Sequence, residues 1–168
     1  MYEKLNIMKA IAKVFLLVVL LVLGIAGYTY GADNDSHTVT VTVSAINELA
    51  ITGGNVTLTI NTATAGSEPD DAVDNTTADL DWTTNEATKK ITVATDQAAP
   101  TFTLKAVAQS VTGGTAAAEV TLSTTAADFV TTISTTTGGC DIQYTASATA
   151  AQGTGSDVHT VTYTLTDA

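Results

Sequence analysis

Apolar and polar residues alternate along most of the chain after residue 36, as expected of β-strands that bury one face. The first such segment, 37–43, places Val39, Val41 and Val43 on one face and threonines on the other. About nine segments show the pattern or are rich in β-branched residues: 37–43, 55–62, 80–82, 90–95, 101–111, 119–123, 129–133, 141–148 and 158–166. They predict about nine strands.

Glycines punctuate these segments. Three Thr-Gly-Gly tripeptides, at 52–54, 112–114 and 137–139, predict tight turns, because glycine reaches the positive φ angles that such turns need. The polar, acidic stretch 65–78 predicts the longest exposed loop, and no segment after residue 31 has a convincing helical period. The pattern therefore predicts an all-β fold, an antiparallel immunoglobulin-like β-sandwich preceded by an apolar signal-peptide helix.

The inward-facing residues of these strands predict the core. Their aliphatic and aromatic members are Val39, Val41, Leu58, Ile60, Trp82, Ile91, Val93, Phe102, Leu104, Val120, Leu122, Ile142, Tyr144, Val161, Tyr163 and Leu165. Only five aromatic residues follow residue 31, too few for the aromatic girdles of a membrane β-barrel. A water-soluble sandwich is the better interpretation.

The first 31 residues differ from the rest of the chain. Lys4, Lys9 and Lys13 precede an uncharged stretch, 14–32, and small residues at 29 and 31 suit cleavage after Gly31. We therefore predict a signal peptide at 1–31 and a single β-sandwich domain at 32–168. The stretch is also long enough to remain as a membrane anchor if it is not cleaved. Both interpretations predict export to the cell surface, the periplasm or the medium.

The remainder, 32–168, is strongly acidic. It holds three Lys, no Arg and 16 Asp and Glu residues, for a formal charge of −13. Such a surface repels phosphate backbones and anionic lipids, which excludes nucleic acid as a partner. Membrane contact is then expected only through the N-terminal segment, if that segment is retained.

No motif indicates catalysis. His37 and His159 each begin a terminal strand, with no nucleophile motif or third metal ligand beside them, so we expect each to cover one end of the core. The protein is therefore predicted not to be an enzyme and to need no cofactor. The lone cysteine, Cys140, is expected to be a buried thiol on a strand rather than part of an intermolecular bridge.

The sequence leaves calcium binding as an open possibility. Asp70, Asp71 and Asp74 lie close together in the acidic loop, and hard carboxylate oxygens of this kind can hold calcium. Their spacing does not match the EF-hand loop, and a solvated acidic loop is the simpler interpretation.

The two ends of the predicted domain carry matched strands with almost no flanking tail. Segment 37–45 has no Asp, Glu, Lys, Pro or Gly, so nothing protects it from pairing with another strand. This arrangement resembles the subunits of extracellular filaments that donate a terminal strand to a neighbour, and also small exported immunoglobulin-like proteins. The resemblance implies a structural or adhesive surface protein that self-assembles, with Val39, Val41 and Val43 on the assembly strand. A monomer whose terminal strands pair internally, or a calcium- or carbohydrate-binding module, is the alternative.

Overall fold

The computed structural model describes residues 33–168, so the predicted signal segment lies outside the described residues. The described part is all-β, with two antiparallel sheets in a sandwich-like arrangement, which confirms the predicted class. Val43–Ala168 forms one compact unit, and residues 33–42 belong to another. Within residues 33–168, no helix is long and apolar enough to cross a membrane.

Ten strands and one short 3-10 helix make up the described fold. The strands are β1 Asn47–Gly53, β2 Ala72–Asp74, β3 Ala78–Thr84, β4 Lys89–Thr95, β5 Thr103–Thr112, β6 Thr115–Ala116, β7 Val120–Thr121, β8 Ala127–Ile133, β9 Thr136–Ser147 and β10 Val161–Asp167. The 3-10 helix is Ala150–Gln152, between β9 and β10.

The larger sheet has the strand order β1-β3-β9-β5-β7, and β2 pairs with the part of β9 that extends beyond β3. The smaller sheet has the order β10-β4-β8-β6. All these pairings are antiparallel. The long strands β1 and β10 are therefore both at sheet edges, and they pack against each other across the sandwich.

Alternation within the strands builds the core as predicted. In β3, Ala78, Leu80, Trp82 and Thr84 are buried, whereas the residues between them are exposed. Of the predicted core, the buried members are Trp82, Ile91, Val93, Leu122, Ile142, Tyr144 and Tyr163, and the half-buried members are Leu58, Ile60, Phe102, Leu104, Val120, Val161 and Leu165. Phe129 packs edge-on against Tyr163, with ring centroids 4.9 Å apart.

Two predicted strands are absent from the described fold. Segment 37–43 has no assigned secondary structure and no strand partner among residues 33–168, and Val39 and Val41 are 71% and 82% exposed, so their predicted burial is wrong. Segment 55–62 also has no assigned strand. Both segments have the alternation of a strand, but a strand also requires a partner backbone, which local sequence does not supply.

The turn and loop predictions are partly wrong. Only the second tripeptide lies at a turn: Gly113, with a φ of 70°, lies between β5 and β6, whereas Gly53, with a φ of 95°, ends β1 and the third tripeptide lies inside β9. There Gly138 lies against Trp82, where a Cβ would come within 2.5 Å of the indole Cε2. The glycine is therefore needed for space rather than for a turn. The predicted loop 65–78 contains β2, a short strand that pairs with β9 in the larger sheet.

Candidate assembly site

Segment 37–45 has the features of a strand that lacks a partner. Val39, Val41 and Val43 are 71%, 82% and 73% exposed. Among the hydrogen bonds of the described residues, none involves residues 37–43. An apolar face beside backbone donors and acceptors that have no partner in the described residues is able to add to the edge of a sheet.

Asn85 fixes the point where this segment joins the sandwich. Its side-chain Oδ1 accepts a hydrogen bond from the Ile46 N–H at 2.8 Å, and its Nδ2 donates to the Ser44 carbonyl oxygen at 2.7 Å. The Asn85 N–H also donates to the Ile46 carbonyl oxygen at 3.2 Å. Asn85 thus holds the chain on both sides of residue 45, directly before β1.

The inner face of β1 is only partly covered. Leu49 lies opposite Trp82 and Ile51 opposite Leu80, and residues directly opposite in an antiparallel pair point to the same face. Because Leu80 and Trp82 are buried in the core, Leu49 and Ile51 must also point inward. Ile51 is nevertheless 53% exposed, so the smaller sheet does not extend far enough to cover it.

Segment 55–62 continues this edge of the larger sheet. The Gly54 N–H donates to the Thr77 carbonyl oxygen at 3.3 Å, and the Asp70 N–H donates to the Thr62 carbonyl oxygen at 2.9 Å. These two bonds lay the segment antiparallel to residues 70–77, in nearly the register that β1 has with β3. Val56 and Leu58 pack against the core but stay half-exposed. We call the side of the sandwich bounded by β1, segment 55–62 and β10 the open side.

The outer edge of β10 is the second boundary of the open side. Thr160 O accepts from the Asp96 N–H at 3.1 Å, and the Ala168 N–H donates to the Thr88 carbonyl oxygen at 2.9 Å, so the even-numbered residues direct their backbone groups toward β4. Backbone groups alternate in direction along a strand. Those of Val161, Tyr163 and Leu165 therefore point to the free edge, with their side chains on the core face.

The charges of the described part leave no free cation. Lys89 contacts Glu86 at 2.9 Å and Asp167 at 2.6 Å. The other two lysines form the pairs Lys90–Asp128 at 3.0 Å and Lys105–Glu119 at 3.2 Å. The remaining acidic residues have no lysine within the described part, which makes its surface unfavourable for anionic ligands.

The predicted calcium ligands are not gathered into one cluster. Within residues 33–168, no three His, Cys, Asp or Glu side chains are grouped closely enough to hold a metal ion. Asp74 accepts hydrogen bonds from the Thr77 hydroxyl at 2.8 Å and from the Thr77 N–H at 3.1 Å, and the hydroxyl bond lowers the pKa of Asp74. Asp70 and Asp71 are exposed. Calcium binding stays a prediction.

The two histidines have different surroundings. His159 is half-buried, and its Nδ1 is 3.1 Å from the Thr95 hydroxyl, at the end of the core beside β10. His37 is exposed and lies in the unpaired segment. Within residues 33–168, neither histidine belongs to a group of side chains that could hold a metal ion.

Cys140 and the aromatic residues belong to the interior. Cys140 is buried on β9, as predicted, and burial raises the pKa of its thiol to about 12. The hydroxyls of Tyr144 and Tyr163 are 3.0 Å apart in the core, and burial raises the pKa of both tyrosines. Trp82 is 3% exposed, so it fills the core rather than offering a stacking surface for sugars.

No protein-family model, no curated protein and no solved structure matches this chain. Sequence reasoning found the unpaired strand through its valine alternation. It missed the open side, because the exposure of Ile51 follows from which strands face β1, and this is a property of the tertiary structure.

Proposed function

We propose that the protein is a non-enzymatic structural subunit, exported to the cell surface or beyond, that assembles by donating segment 37–45 to a second copy of itself. The observation that supports this most strongly is the exposure of Val39, Val41 and Val43 on a segment with no strand partner in the described residues. A free valine face in water is unfavourable by about 1.5–3 kcal/mol for each side chain that could be buried. Burial in a neighbouring copy would recover that free energy.

The anchoring by Asn85 supports the same proposal. Ser44 and Ile46 are held at the base of the segment by two side-chain hydrogen bonds. A donated strand must leave its own domain at a defined place, since a loose linker would cost more conformational entropy on docking. Asn85 limits that freedom to the residues before Ser44.

We also propose a type of sandwich for the domain and a location for the protein. The two facing antiparallel sheets are compatible with an immunoglobulin-like sandwich, which we propose for the domain. Export is supported by the apolar, Lys-flanked N-terminal sequence. An adhesive role fits the same exported, acidic surface.

A triple substitution tests the proposal. In Val39→Ser/Val41→Ser/Val43→Ser the apolar face is lost, but the sandwich should keep its stability because these side chains are exposed within one chain. We expect the wild-type chain to form filaments or ladders of oligomers, seen by electron microscopy and by light scattering. The triple variant should remain monomeric with an unchanged melting temperature.

The matched control changes the opposite face of the same segment. Thr38→Ser/Thr40→Ser/Thr42→Ser changes the same number of residues, removing one methyl group from each, without touching the valines. This control should assemble like the wild type. A wild-type chain that stays monomeric at high concentration, or a valine variant that assembles normally, contradicts the proposal.

A further inference from the structure

We infer that the open side of the sandwich is the acceptor for the donated strand, and that segment 37–45 of a second copy adds to the free edge of β10. This inference rests on the proposed function and specifies where the second copy binds. The two long free edges in the described residues are β1 and β10, and they differ in what an added strand would cover.

Backbone geometry favours β10. Val161, Tyr163 and Leu165 direct their free N–H and C=O groups outward, and their side chains lie on the core face. A strand whose alternate residues are all valine can hydrogen-bond to this edge while its valines point to the core face. Segment 37–45 is two residues longer than the seven-residue β10, so it can span the edge.

The uncovered face of β1 favours the same edge. A strand added beside β10 would widen the smaller sheet on the side of the sandwich where the inward-pointing Ile51 of β1 is 53% exposed and Leu49 is half-buried. Addition beside β1 would instead extend the larger sheet and leave Ile51 uncovered. The valine face is therefore complementary to the open side and not to the β1 edge.

Charge points to the same contact. Two copies with a formal charge of −13 each over residues 32–168 repel one another across most of their surfaces. Segment 37–45 contains no Asp, Glu, Lys or Arg, and the one charged residue of β10 is Asp167 at its end, which pairs with Lys89 at 2.6 Å. The β1 edge carries Glu48. An uncharged strand on an edge whose single carboxylate is paired with a lysine avoids the repulsion that other contacts would bring.

Disulfide trapping tests the acceptor. The full chain is made with Cys140→Ala, so that no native thiol remains, and with one cysteine on each proposed partner. With Val41 opposite Tyr163, Thr40 lies beside Thr164 if the strands are antiparallel and beside Thr162 if they are parallel. The test pairs are therefore Thr40→Cys/Thr164→Cys and Thr40→Cys/Thr162→Cys, because adjacent Cα atoms in a sheet are within disulfide range. The matched control, Thr40→Cys/Ala50→Cys, places the second thiol on the outer face of β1.

The expected result is a ladder of covalent oligomers for one of the two β10 pairs on a non-reducing gel, lost on reduction and at least tenfold weaker for the Ala50 control. A ladder from the Ala50 control without one from either β10 pair overturns the acceptor but leaves the proposed function standing. A disulfide within a single chain overturns it as well, since the strand would then be bound to its own domain. Absence of any assembly in the Cys140→Ala chain and in the wild type refutes both the acceptor and the proposed function.

Discussion

Asn85 and Ile46 hold each other through two hydrogen bonds, one from the Ile46 N–H to Asn85 Oδ1 at 2.8 Å and one from the Asn85 N–H to the Ile46 carbonyl oxygen at 3.2 Å. The first bond depends on the side chain and the second only on the backbone. This pairing lies between the unpaired segment and β1, so it sets where the free strand begins.

Replacing Asn85 should loosen that junction. Asn85→Ala removes the side-chain bonds to Ile46 and Ser44, at a cost of about 1 kcal/mol in unfolding free energy, because each bond is solvent-exposed. Hydrogen exchange at the Ile46 amide should become at least several-fold faster. Asn85→Asp is the comparison variant, since it keeps an acceptor for the Ile46 N–H but replaces the donor to Ser44 with a carboxylate oxygen that the Ser44 carbonyl oxygen repels. Unchanged exchange at Ile46 in Asn85→Ala would show that the side chain is not the anchor.

Gly138 should not tolerate a side chain. A Cβ there would overlap the Thr112 carbonyl oxygen and come within 2.5 Å of the Trp82 indole Cε2. Gly138→Ala should therefore destabilise the domain by about 1–3 kcal/mol and shift Trp82 fluorescence as the indole moves. Gly54→Ala is the matched control, because nothing lies within 4 Å of its Cβ position. Equal denaturation midpoints for the two variants would contradict this account of the third Thr-Gly-Gly tripeptide.

Alkaline pH should weaken the fold through Cys140. Burial raises the pKa of its folded-state thiol to about 12, whereas a thiol in an unfolded chain has a pKa of about 8.5. Above the lower value the unfolded chain loses a proton that the folded chain keeps, so the free energy of unfolding falls as pH rises from about 9 to 12.

The tyrosines contribute to the same decline, since burial raises the pKa of Tyr144 and Tyr163 too. Urea titrations at pH 8, 9, 10 and 11 should therefore show a shallower decline in Cys140→Ala than in the wild type. Equal slopes in the two proteins would mean that the thiol ionises as readily in the folded state as in the unfolded one.

Replacing Thr88 by glycine should stabilise the domain. Thr88 lies between β3 and β4 with a φ of 63°, in the left-handed region that a β-branched residue enters at a cost of about 1–2 kcal/mol. Replacing Thr88 by glycine removes this cost, but part of the gain in stability is lost because glycine has greater conformational freedom in the unfolded chain. Thr88→Gly should raise the free energy of unfolding by about 0.5–1 kcal/mol in urea titrations, whereas the control Ala87→Gly should lower it. Destabilisation by Thr88→Gly would indicate that the Thr88 side chain contributes more than its backbone costs.

Local pattern determined most of the strands. The alternation that buries Leu80 and Trp82 in β3 is readable directly, because each side chain's face follows from its position along the strand. The all-β class and the acidic character of residues 32–168 follow from period and composition in the same way. These properties depend on residues near one another in the sequence.

Segments with the same local sequence pattern adopted different structures because their contacts with distant residues differ. The valine–threonine alternation of 37–43 is as regular as that of β10, but β10 has β4 beside it and 37–43 has no partner in the described residues. The three Thr-Gly-Gly tripeptides are identical in sequence, yet the third lies in β9 because Trp82 occupies the space beside Gly138. Strand pairing and side-chain packing join residues far apart in the chain, so only the tertiary structure decided which strands are paired and that Ile51 lies uncovered on the open side.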